Sequence, residues 1–264
     1  MAFAAIGKNV LHYVLTGSKN RRALVLANSL GSDLHIWDDV AERLSEYFRI
    51  VRYDKRGHGL SDAPAPPYSI DDLSQDVVAL MDALEINQAV ICGISVGGLI
   101  AQALALSHPE RVRGLVLSDT GARIGTVESW EQRIATVRAG GLESLLSPTM
   151  ERWFSRQFRE RHDADVRGYS NMLLRTTVDG YIGTCCALRD ADFHATVSQI
   201  KSPTLVLCGA KDIATPPALG RELASLIAGA EFSLIEGTGH LPCIEKPLAM
   251  TERMLKFFRE VQIV

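Results

Sequence analysis

Short, continuously apolar runs alternate with amphipathic segments along most of this chain, and that alternation is its strongest constraint on fold. "ALVLANS" (23–29), "RIVRYD" (49–54), "QAVICGI" (88–94), "VRGLVLSD" (112–119), "PTLVLCGAKD" (203–212) and "EFSLIEG" (231–237) read as strands. Between and after them lie helix candidates at 37–48, 70–86, 96–107, 216–228 and 247–261. In 70–86, Ile70, Leu73, Val77, Leu80, Met81 and Leu84 fall on one face, and Ser69 with Asp72 offers a capping pair at the start. Strands that are apolar throughout and separated by helices indicate a mostly parallel sheet covered on both faces, an α/β fold. Two alternating segments around Gly7-Lys8-Asn9 add an N-terminal hairpin, which brings the expected sheet to about eight strands.

The rhythm stops between about Gly121 and Gln199. This interval is helical in pattern, contains ten Arg and no Lys, and has no continuous strand-like run. It reads as a helical cap, residues 121–199, inserted after the sixth strand of a core made from residues 1–120 and 200–264.

Composition excludes several function classes. With 22% charged residues and a net charge of −3, there is no electrostatic case for nucleic acid or an anionic membrane as partner. The N-terminus lacks the basic start and apolar core of a signal peptide, and no run of about 18 apolar residues occurs, so a soluble, cytoplasmic protein is expected. The five cysteines are odd in number, and Cys92 and Cys208 sit inside strand-like runs, which favours reduced thiols over a disulfide framework. There is no C-x-x-C, H-x-x-x-H or H-E-x-x-H, so no metal site is expected. "RGHG" and "GTGH" do not extend to a G-x-G-x-x-G dinucleotide fingerprint, and no cofactor is implied. Nothing in the sequence speaks to oligomeric state.

"CGISVGG" places Ser95 between Gly93 and Gly97, on the sharp turn from an apolar strand into an apolar helix. That context is what a nucleophilic serine requires, because the glycines let helix and strand backbones pass closely. A serine hydroxyl also needs a base. Of seven histidines, His240 in "EGTGHLPCIEKP" lies after the last expected strand and ahead of the final helix. His35 and His58, also in loops, are the weaker competitors; His12, His108 and His162 fit structural or exposed positions. A carboxylate should orient the imidazole. Asp212 ends "PTLVLCGAKD" at the same sheet edge, with Asp119, after "GLVLS", as its rival. In a parallel sheet the loops after the strands share one face, so Ser95, Asp212 and His240 can converge, and their chain order is that of α/β-type hydrolases. The oxyanion formed at Ser95 would take two N–H donors, from Val96 and from Leu30 in "NSLGSD".

With these motifs in place the chain resembles the α/β-hydrolase superfamily over essentially its full length, and "YDKRGHGLSD" (53–62) is similar to the loop that follows the fourth strand there. Many members carry His-Gly where this chain has Asn28-Ser29. In that departure, and in "ANSLGSDLHIWD", "ARIGTVESWEQRI", "YIGTCCALRDAD" and "DIATPPALG", it is similar to the 3-oxoadipate enol-lactone hydrolases of bacterial aromatic catabolism. The resemblance implies the α/β-hydrolase fold and hydrolysis of a small-molecule lactone, 3-oxoadipate enol-lactone, through an acyl-enzyme.

That substrate carries a free carboxylate, and an apolar pocket would need a cation to receive it. Arg133 and Trp130 are three apart in an expected helix and would share a face, while Arg189 in "CCALRD" is a second candidate cation. The plainer reading is that the cap's ten Arg balance its ten Asp and Glu in surface ion pairs, with Trp130 as core packing. An esterase, a perhydrolase or a carbon–carbon bond hydrolase could use the same triad, and a non-catalytic ligand receptor could retain the same fold.

Overall fold

A computed structural model describes residues 2–264. The hairpin comprises β1 (Ala2–Ile6) and β2 (Asn9–Thr16), joined by a turn at Gly7-Lys8. Next come β3 (Ala23–Ala27), α1 (Asp38–Leu44), β4 (Arg49–Tyr53), α2 (Ile70–Ala83), β5 (Ala89–Ile94), α3 (Val96–Ser107) and β6 (Val112–Ser118). Five helices follow without an intervening strand: α4 (Val127–Gly140), α5 (Leu146–Trp153), α6 (Arg156–Arg161), α7 (Asp163–Leu174) and α8 (Val178–Asp190). The chain then returns to the sheet with β7 (Thr204–Gly209), α9 (Pro217–Leu226), β8 (Glu231–Ile235), α10 (Pro242–Glu245) and α11 (Pro247–Glu260).

The eight strands form one sheet in the order β1-β2-β4-β3-β5-β6-β7-β8, antiparallel at β1-β2 and β2-β4 and parallel elsewhere. Every residue of β3, β5 and β7 is buried, which is why these strands, Thr204 at the start of β7 apart, carry no polar side chain at alternate positions. The expected capping pair closes as a reciprocal box on α2: Asp72 N–H donates to Ser69 Oγ at 3.0 Å, and Ser69 N–H to Asp72 Oδ2 at 2.9 Å. The helix expected at 37–48 is shorter, because a 3-10 turn occupies Leu34–Trp37 and the Ser45 hydroxyl takes the Glu42 carbonyl at 2.7 Å. All five cysteines are free and buried. No helix among the described residues is long and apolar enough to cross a membrane.

Topology positions a crevice. From β3 the chain passes to β4 on one side, and from β5 to β6 on the other, so the loops after β3 and β5 diverge at the carboxyl edge of the sheet. The α4–α8 segment roofs that edge. Thr177 Oγ1 donates to Gly57 O at 3.2 Å, Thr176 Oγ1 to Gly31 O at 3.3 Å, and Leu241 N–H to Trp153 O at 3.2 Å. At Gly180 an added Cβ would lie 2.0 Å from Gly57 O, so only glycine lets α8 rest on the loop after β4.

Candidate active site

Ser95 is the single residue between β5 and α3, with φ 58° and ψ −119°, a conformation unfavourable for a side-chain-bearing residue. The surroundings enforce it. Ser95 N–H donates to Ser118 O at 3.0 Å, and Ser95 O accepts from Gly98 N–H and Thr120 Oγ1, each at 2.9 Å. An added Cβ on Gly97 would sit 2.2 Å from Ala27 O, so glycine there is what allows α3 to start against β3. Ser95 thereby lines a cavity of about 410 Å³ together with Ser29, Leu30 and His240. Val96 N–H is the first of α3 and has no acceptor within its helix, leaving it free to serve a ligand at Ser95.

His240 is buried, and its Nδ1–H donates to Asp212 Oδ2 at 2.8 Å. This leaves Nε2 as the ring nitrogen for the cavity; no hydrogen bond joins Ser95 to His240 among the described residues, and the two meet as cavity walls. Asp212 Oδ1 accepts from Ala214 N–H at 2.7 Å and Thr215 N–H at 3.1 Å, and the Thr215 hydroxyl lies 2.6 Å from Oδ2. Burial alone would raise the Asp212 pKa, but the interaction with His240 and these hydrogen bonds outweigh it and hold the carboxyl below the usual range. Thr215 lies in "DIATPPALG", but nothing in that stretch marks it as a partner of Asp212; the contact arises because the loop after β7 folds back over the carboxylate.

Asp119, the rival acid, is also buried and close by. Its Oδ1 accepts from Gly209 N–H at 2.7 Å and its Oδ2 from the Ser118 hydroxyl at 2.6 Å. Burial, and then the negative charge of Asp212, push its pKa well above the ordinary value. Donor atoms of Asp119, Asp212 and His240 lie within 4.8 Å of one another, but they are engaged by each other and by Gly209, Ser118 and Thr215.

The cap residues separate. Trp130 and Arg133, both on α4, line the cavity, with the Arg133 guanidinium 5.1 Å from the centre of the Trp130 ring. Trp130 also anchors its own helix, since Nε1–H donates to Ile124 O at 2.6 Å. Arg189 does not reach the cavity. Tyr181, on the same helix, does line it, but Arg189 lies about 12 Å further along the axis at 1.5 Å per residue. Its guanidinium instead pairs with Asp190 through two 2.8 Å hydrogen bonds. In its place α5 supplies Arg152, which lines the cavity and was indistinguishable in the sequence from the other cap arginines. Neither Arg133 nor Arg152 forms a salt bridge among the described residues.

Residues 22–247 match the family described as alpha/beta hydrolase fold. The chain is 37% identical over 251 residues to 3-oxoadipate enol-lactonase 2 of Acinetobacter baylyi, covering 94% of each chain. It is 34% identical to 3-oxoadipate enol-lactonase 1 of the same organism over 248 residues, covering 94% of this chain and 92% of that one. The crystal structure of the enol-lactonase from Burkholderia xenovorans LB400 superposes with a TM-score of 0.95 at 39% identity, covering 98% of this chain and 100% of that one. Taken with the eight-stranded sheet and the serine-bearing turn after β5, these matches make the chain a member of the α/β-hydrolase family.

Proposed function

We propose that this protein is a serine hydrolase that opens 3-oxoadipate enol-lactone to 3-oxoadipate, a step of protocatechuate and catechol degradation. The observation that carries the reading is the composition of one cavity: a strained serine, a histidine held by a buried aspartate, and two arginines without acid partners. Similarity to enol-lactonases adds the substrate.

Ser95 Oγ attacks the lactone carbonyl carbon as His240 Nε2 takes the hydroxyl proton. Asp212 holds the tautomer with the proton on Nδ1 and stabilises the imidazolium. The carbonyl oxygen becomes an oxyanion facing Leu30 N–H and Val96 N–H, and losing one such donor typically costs about 3 kcal/mol of transition-state stabilisation. Collapse breaks the ring carbon–oxygen bond. The leaving enolate takes the proton held on His240 Nε2, which returns the imidazole to neutral, and, relaxed to the ketone, it stays tethered as part of the acyl group on Ser95. Water, deprotonated by His240, then attacks the ester, and Ser95 leaves with that proton. Arg133 and Arg152 receive the substrate's free carboxylate, for which a charge-assisted pair in a partly apolar cavity is the natural partner.

The test is the loss of enol-lactone absorbance on adding purified protein, beside Ser95→Ala and with p-nitrophenyl acetate as comparison. Fast lactone turnover that vanishes in Ser95→Ala is the expected result. Ester cleavage without lactone turnover would overturn the substrate while leaving the serine chemistry.

A further inference from the structure

The loop after β3 is built around a buried cation that the steps above do not use. Parallel pairing of β3 with β4 sets Leu26 beside Arg52, and three residues further along each chain stand Ser29 and Lys55. Lys55 is 1% exposed. Its Nζ donates to Ser29 O and, at 3.3 Å, to Ser32 O. Ser32 adds two donors to the same Ser29 oxygen, its hydroxyl at 3.0 Å and its N–H at 3.3 Å. On the far side of Leu30, Gly31 N–H donates to His58 Nε2 at 3.0 Å, and His58 Nδ1–H to Arg56 O at 3.2 Å. Both peptides flanking Leu30 are therefore pinned.

A trans peptide holds its C=O and N–H in one plane, pointing in opposite directions. Ser29 C=O and Leu30 N–H belong to the same unit, and the only cis bond among the described residues is Pro66-Pro67. Holding the Ser29 oxygen toward Lys55 thus turns Leu30 N–H the other way, and both residues line the cavity beside Ser95. A cation on the oxygen also draws electron density out of the amide and strengthens its N–H as a donor.

We propose that Lys55 is a positioning residue of the oxyanion loop, whose ammonium orients and polarises the Ser29–Leu30 peptide so that its N–H meets the oxyanion formed at Ser95. This rests on the Ser95 chemistry proposed above but not on the lactone as substrate. The charged and titratable groups around Lys55 are Asp54, Asp33 and His58. Asp54 accepts from Leu34 N–H at 2.8 Å and from His12 Nδ1–H at 2.7 Å. Burial lowers Lys55 to about 7 despite the attraction of Asp54 and Asp33, and burial followed by the Lys55 charge keeps His58 well below its ordinary value, as a neutral acceptor for Gly31.

The experiment compares wild type with Lys55→Met, which keeps chain length and loses the donor, Lys55→Gln, which keeps a donor without charge, and Ser32→Ala. Readouts are kcat and KM for p-nitrophenyl acetate, affinity for phenylboronic acid, which forms a tetrahedral adduct on a reactive serine, and thermal unfolding. Lys55→Met should lose kcat and boronate affinity together by about tenfold to a hundredfold, with KM moving less than about threefold and Lys55→Gln recovering part of the loss. Should Lys55→Met fail to fold, the other two variants should still lower kcat and boronate affinity in parallel. Folded variants with unchanged kcat and boronate affinity, whatever their melting temperature, would overturn the proposal. A wild type that cleaves the ester but not the lactone removes only the substrate assignment; one inert to ester and boronate removes both proposals.

Discussion

Asp119 and Asp212 occupy one buried cluster, yet Asp212 Oδ2 accepts the His240 Nδ1 proton at 2.8 Å while both oxygens of Asp119 are taken by Gly209 N–H and the Ser118 hydroxyl. The two carboxyls are also shifted in opposite senses: burial and the neighbouring Asp212 carboxylate push Asp119 up, while Asp212 is held low. Asp212→Asn should lower kcat by about 10⁴-fold, as expected when the base loses the carboxylate that fixes its tautomer. Asp119→Asn should stay within about tenfold of wild type, since His240 bonds Asp212 instead and an amide keeps an acceptor for Gly209 N–H. Steady-state kinetics on both variants check this, and reversed sensitivities would exchange the two roles.

Asp119 also makes a pH prediction. Its folded pKa lies above the unfolded value, so the native state holds a proton that the unfolded chain releases above about pH 4, and stability falls as pH rises through the folded pKa. Asp119→Asn removes that dependence. Denaturant unfolding of wild type and variant at pH 5 and pH 8 should show the variant gaining relative stability at the higher pH.

Lys55 acts in the opposite sense. Its folded pKa of about 7 is below the unfolded value, so between about 7 and 10 the unfolded chain binds more protons and stability rises with pH. In Lys55→Met this rise should flatten, which chemical denaturation at pH 7 and pH 9 measures directly.

Arg133 and Arg152 face the cavity without an acid partner, whereas Arg189 is held by Asp190. Arg133→Ala and Arg152→Ala should each raise KM for the carboxylate-bearing lactone by about tenfold to a hundredfold, the range of a charge-assisted hydrogen bond, with little change for neutral p-nitrophenyl acetate. Arg189→Ala should leave both substrates alone. Equal effects on the charged and neutral substrates would argue that these arginines support the cap's packing instead.

Strain at Ser95 predicts a trade between stability and activity. Ser95→Gly relieves φ 58° and should raise stability by about 1 kcal/mol while abolishing turnover. Gly97→Ala should do the reverse at the same turn, destabilising by about 1–3 kcal/mol or more, because its Cβ would meet Ala27 O at 2.2 Å. Equilibrium unfolding of the two variants tests both signs.

Much of the architecture was legible in the chain because it rests on local properties. A strand buried on both faces is apolar nearly throughout, as β3, β5 and β7 are, and an amphipathic helix announces its face and its cap, as α2 does. Ser95, Asp212 and His240 could be brought together on paper because loops after parallel strands share one edge. What followed from distance in space rather than order in sequence was out of reach. Asp119 and Asp212 both follow strands, and what separates them is that His240 meets Asp212 while Gly209 N–H and the Ser118 hydroxyl occupy Asp119. Arg133, Arg152 and Arg189 are alike as letters, and only helix position and a neighbouring acid decide which of them meets the cavity. Lys55 lies within a motif read from the sequence, but its contact with Ser29 exists only because β3 and β4 pair side by side in that register. The sequence by itself determined which segments are buried and how they repeat; tertiary structure decided which polar groups meet, because hydrogen bonds depend on angstrom-scale placement that periodicity does not encode.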